Sequence, residues 1–173
     1  MDGFNVRHLT LAVALSICMG TAFAATSNDF VDHAAAGGIA EIEASKLALE
    51  KSSSADIKAF ANMMITDHSK ANDELAAIAK KNDIKVPDST TLTNQAKEKI
   101  LDMRDQSFDA AYANNQVKAH EQTIELFKKE ANTVTDDKTK GAVELKGFAQ
   151  KMLPGLEKHL DMAKKLQAAH PSK

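Results

Sequence analysis

The chain has one cysteine, Cys18, three prolines and no tryptophan, and only 5% of its 173 residues are aromatic. Each scarcity excludes something. A lone cysteine cannot close a disulfide within the chain, and no thiolate cluster is available for zinc or an iron–sulfur centre. Prolines occur only at 87, 154 and 171, so long stretches are free to be helical. There is no Gly-rich phosphate loop, no His-Glu-x-x-His zinc motif and no serine in a recognisable nucleophile turn. The net charge is -2 and the basic residues form no block, which argues against nucleic acid as a partner.

What the chain does have is alanine, lysine, glutamate, leucine and methionine in abundance, the strong helix formers. The N-terminus is a separate feature. Arg7 and His8 precede an apolar run over residues 9–18, too short for the ~20 residues a membrane helix needs. Ala22-Phe23-Ala24 follows and supplies the small residues of a signal-peptidase site. The expectation is a signal peptide over 1–24, a cut after Ala24, and a periplasmic mature domain of residues 25–173 without cysteine. Lipidation at Cys18 is disfavoured because Ile17 stands where a small residue is needed. No later run is apolar enough to span a membrane.

Within 25–173 the apolar spacing predicts four helices in an all-α bundle. The first is capped by Ser27 or Asn28 and ends near 51, with Phe30, Ala34, Gly37, Glu41, Ala44 and Ala48 on one stripe. Gly37 and Gly38 cost about 1 kcal/mol each in a helix, which points to a close helix approach. The second covers 55–81 after a serine turn, with Ser53 and Asp56 at capping-box spacing. Residues around Pro87 read as a loop, and Leu92, Ala96, Ile100 and Met103 as a short extra helix in the long connection. The third covers 106–131. The fourth covers 138–168, with a kink expected near Gln150 because Pro154 removes a hydrogen bond there. The direction of the third helix relative to the second is left open.

The polar residues on these stripes are the candidates for chemistry. His33, His68, His120 and His159 fall one on each helix. At a rise of about 1.5 Å per residue, Glu41 lies ~15 Å from the first turn and Asp67 and His68 lie ~18–20 Å from it. His120 is at the middle of the third helix. Glu41, Asp67, His68 and His120 therefore form one expected metal site. Asp109, Tyr112 and His159 form a second expected polar cluster nearer one end, and His33 fits neither. With His and carboxylate donors only, the implied cofactor is a single zinc, iron or copper ion. The other reading open to the same residues is a structural polar layer that fixes helix register in a non-enzymatic envelope stress or interaction protein. Its partners would be another protein or a second copy of the chain. No reaction or catalytic residue is assigned.

Four stretches carry a resemblance to a known family. They are GGIAEIEASKLALEK (37–51), IKAFANMMITDHSKANDEL (57–75), SFDAAYANNQVKAHEQTIELFKKEA (107–131) and LKGFAQKMLPGLEKHLDMA (145–163). Together they resemble the exported bacterial ferritin-like domain family of unknown function. The resemblance implies a ferritin-like four-helix bundle with Glu41, Asp67, His68, Asp109, Tyr112, His120 and His159 as its polar positions. It implies no reaction. Di-iron ferritins use two Glu-x-x-His pairs, and this chain has none.

Overall fold

The computed structural model describes residues 28–88, 90, 93, 107–135 and 139–172. The expected signal segment lies outside these residues. Of the expected short helix in the long connection, Thr93 is described and is helical. Among the described residues the architecture is all-α, with four long helices: α1 Asp29–Lys51, α2 Ala55–Lys81, α3 Phe108–Ala131 and α4 Ala142–Ala169.

Local chemistry fixes most of the helix ends. Asn28 caps α1 by accepting from the Val31 backbone N–H at 3.0 Å, and Asp29 and Asp32 sit in the positive first turn. Ser107 caps α3 in the same way, through Ala110. The expected capping box at Ser53 does not form. Ser54 is the cap residue of α2, and its hydroxyl donates to Asp56, whose carboxylate accepts from the Ile57 N–H instead. Helix α4 runs unbroken through Pro154, which is exposed. It starts at Gly141, whose φ of 74° is a left-handed conformation suited to glycine.

The helices pack as two antiparallel hairpins, α1 on α2 and α3 on α4, with α1 also facing α3 and α2 facing α4. Two apolar clusters show how they run. One end of the bundle holds Phe30, Val31, Leu75, Phe127, Leu145 and Phe148, with the Phe30 and Phe127 rings 5.1 Å apart. The other holds Ala48, Ile57, Phe60, Tyr112, Ala163 and Leu166. Helix α2 finishes at the phenylalanine end and α3 starts at the tyrosine end, so α3 runs parallel to α2. The end of α2 and the start of α3 therefore lie at opposite ends of the bundle, about 40 Å apart for helices of this length.

Between the two clusters every helix changes character. Glu41, Ser45, His68, Gln116, His120 and His159 are buried there, a polar belt across the middle of the bundle. The register of α4 relative to this belt depends on its start. Lys146 and Gln150 donate to the carbonyls of Thr133 and Ala131, so the first two turns of α4 overhang the end of α3. Those turns pack instead on the segment after α2, where an added Cβ at Gly141 would lie 3.0 Å from Ile84 and 3.1 Å from Asn82. Gly141→Val should therefore cost about 1–2 kcal/mol from the left-handed backbone alone, and more from these contacts. Chemical denaturation followed by circular dichroism should show a lower midpoint with an unchanged slope.

Candidate metal centre

Three imidazoles meet inside the belt. The rings of His68, His120 and His159 form a triangle with centroids 5.8, 5.7 and 5.6 Å apart. One nitrogen from each lies within 4.8 Å of one from each of the others. His120 is 1% exposed, His159 6% and His68 7%, so bulk water does not reach them freely. Three different helices supply the rings, which holds the geometry more firmly than a loop would.

Hydrogen bonds fix two of the rings. His120 Nδ1 lies 2.8 Å from the carbonyl of Gln116, one turn earlier on α3, and donates to it. That leaves the lone pair on Nε2. His159 Nε2 lies 3.1 Å from Asp67 Oδ2 and donates to it, which leaves the lone pair on Nδ1. His120 Nε2, His159 Nδ1 and His68 Nε2 are all buried without a hydrogen-bond partner among the described residues. An unpaired buried polar atom costs about 1–3 kcal/mol, so three in one place call for an explanation.

Burial also sets the charge of the rings. Removal from water pushes His68 down to about 3, helped by its histidine neighbours. His120 is pushed down to about 4 by burial, against the pull of the Gln116 carbonyl. His159 is lowered by burial, with Asp67 opposing. All three are neutral at pH 7, the form in which imidazole binds a metal.

The expected site residues distribute differently from the sequence reading. His68 and His120 come together as expected. Asp67 is exposed and reaches the cluster only through His159. Glu41 is buried beside Gln116 and near Tyr112, so it belongs to the belt but not to the histidine triangle. His159 leaves the expected second cluster and completes the triangle, because the overhang of α4 shifts its register by two turns. Tyr112 hydrogen-bonds Ser45 at 2.9 Å within the tyrosine-end core, and Asp109 is half-buried in the first turn of α3. His33 is exposed. Ser45 and Gln116 are the belt residues that sequence reasoning gave no role, and Gln116 was within its reach. It lies one turn before His120 on the same stripe, and that spacing was the available signal.

A cavity of about 360 Å³ reaches the triangle from the phenylalanine end. His68, His159 and Asp67 form its inner wall, and Leu75, Phe127, Phe148, Met152 and Leu156 line much of the rest. The arrangement offers three neutral nitrogen donors, a carboxylate behind one of them, and room beside them for a further ligand.

The belt predicts a pH profile for the metal-free protein. Depressed histidines bind protons in the unfolded chain before the folded one does, so stability falls as pH drops below about 6.5. Glu41 behaves oppositely. Burial raises it to about 8, with the nearby Gln116 side chain offsetting part of the rise. The folded chain keeps a proton that the unfolded chain releases from pH 4.5, so this group destabilises as pH rises to about 8. Each group changes stability by ~1 kcal/mol per pH unit in its window. The optimum should lie near pH 6.5. Glu41→Gln should remove the alkaline decline and keep the acid one, read by denaturant unfolding from pH 4 to 9 in a chelator. An alkaline decline of the same size in Glu41→Gln would contradict the assignment.

No curated protein and no solved structure matches this chain. A domain of unknown function (DUF4142) matches residues 13–166. With nearly the whole bundle inside that match, the chain belongs to the DUF4142 family.

Proposed function

We propose that this protein is an exported, ferritin-like bundle that binds a single divalent transition-metal ion through His68, His120 and His159. The observation that carries the reading is the convergence of three neutral imidazoles, with one buried, unpartnered nitrogen on each ring. A metal ion would satisfy those three atoms at once. Asp67 would act through His159, orienting the ring and raising its basicity, the usual role of a carboxylate behind a ligating histidine. Nitrogen donors of this kind suit zinc, iron or copper. One ion fits better than a pair, because no carboxylate is among the clustered donors. Two hairpins joined by one long crossover are also the connectivity of ferritin-like bundles, which supports that part of the reading. Export rests on the signal-like sequence of residues 1–24, and periplasmic residence follows from it.

The test begins with the full-length gene expressed in a Gram-negative host. The periplasmic protein should have an intact mass that begins at Ala25. Purified without tag or chelator, it should carry about one equivalent of metal by elemental analysis. His120→Ala should lose that equivalent and stay helical. Asp67→Asn should weaken binding by about 10–100-fold. Wild-type protein that holds no metal, and gains no thermal stability on adding zinc, would leave the belt as a structural layer.

A further inference from the structure

The cavity beside the histidines has the makings of a ligand site, and its chemistry restricts what could enter. Its inner wall is His68 and His159, and its sides are Leu75, Phe127, Phe148, Met152 and Leu156. Small residues line part of the space, although the Asn72 side chain occupies the place a Cβ on Gly38 would take. Ala34 and Gly38 line it from α1, and Gly155 lines it from α4. Gly155 is exposed at the mouth, and an added Cβ there meets nothing within 4 Å, so a larger side chain can be accommodated. The volume of about 360 Å³ falls within the ~300–1,000 Å³ of small-molecule sites, which are mostly apolar with a few polar groups.

Charge decides the polar end of the ligand. This step rests on the metal reading above. Three neutral imidazoles compensate none of the charge of a divalent ion. Asp67, held to His159, offsets one unit. One positive charge is left at the end of an apolar cavity, where uncompensated charge is costly. A monoanion in the open coordination position removes it. We infer that the cavity takes a small monocarboxylate with an apolar body, its carboxylate on the metal and its body against Leu75, Phe127, Phe148 and Leu156. The rim carries Lys70 and the Lys151–Glu74 pair, whose charges are 2.7 Å apart.

The inference separates from the metal reading in one experiment. The wild-type protein is loaded with cobalt(II), whose visible d–d absorption reports the coordination sphere. Octanoate is then titrated, with 1-octanol as a probe of equal length and no charge. Octanoate should shift the cobalt spectrum saturably, and octanol should leave it unchanged. Gly155→Phe, which grows into the open space, should keep the cobalt spectrum and weaken octanoate by at least tenfold. Cobalt bound normally with no response to octanoate would overturn this inference and leave the metal reading intact. An equal response of Gly155→Phe would overturn the cavity as the place of binding. Octanol competing as well as octanoate would overturn the carboxylate. Failure to bind cobalt, zinc or iron at all would overturn both readings.

Discussion

The structure depends on the cost of burying polar groups in the middle of a helical bundle. A belt containing Glu41, Ser45, His68, Gln116, His120 and His159 interrupts the core between two apolar clusters. Some of that cost is met internally. Ser45 is satisfied by Tyr112, His120 by the Gln116 carbonyl and His159 by Asp67. The remainder is not: one nitrogen on each of three adjacent rings is left over, together with the Gln116 side-chain amide and one oxygen of Glu41. Apolar side chains of similar volume would make a more stable core, since isolated buried polar atoms are unfavourable. A belt of this kind therefore does not by itself stabilise the fold.

The two ends of the bundle support the belt in different ways. At the phenylalanine end, Phe30 packs edge to face on Phe127 and Phe148, and those two line a cavity that runs inward to His68 and His159. At the tyrosine end the core closes tightly. Tyr112 is fully buried, stacks on Phe108 and hydrogen-bonds Ser45. One side of the belt thus has an approach for a small molecule, and the other has dense packing that holds the helices in register. With α3 parallel to α2, Gln116 and His120 fall in the same order along the axis as Met64 and His68.

Glu41 stands apart from the histidines. Burial keeps its carboxyl protonated near neutral pH, and the neighbouring Gln116 amide makes no hydrogen bond of good geometry. It adds a neutral, polar neighbour to the belt and does not supply negative charge to the triangle. The carboxylate that does bear on the triangle is Asp67, which is exposed and acts through a ring. Adjacent residues on a helix point about 100° apart, so Asp67 and His68 cannot both face the same interior point. Asp67 faces outward enough to reach His159 on the neighbouring helix.

Local sequence determined the helices. Apolar spacing and the Asn28 and Ser107 caps fix where α1 and α3 begin, and the absence of interior proline keeps α1, α2 and α3 whole. The polar interruptions at 41, 68 and 120 were equally visible, because a charged or imidazole residue on an apolar stripe breaks a periodic pattern. Tertiary structure decided what those residues meet. Helix direction after the long connection has no local signature, since an amphipathic helix packs in either sense. The depth of His159 depended on α4 starting at Gly141 and overhanging α3, a consequence of packing on Ile84 and Asn82. Periodicity gives the face of a side chain, but its height along the bundle is set by which neighbours anchor the helix.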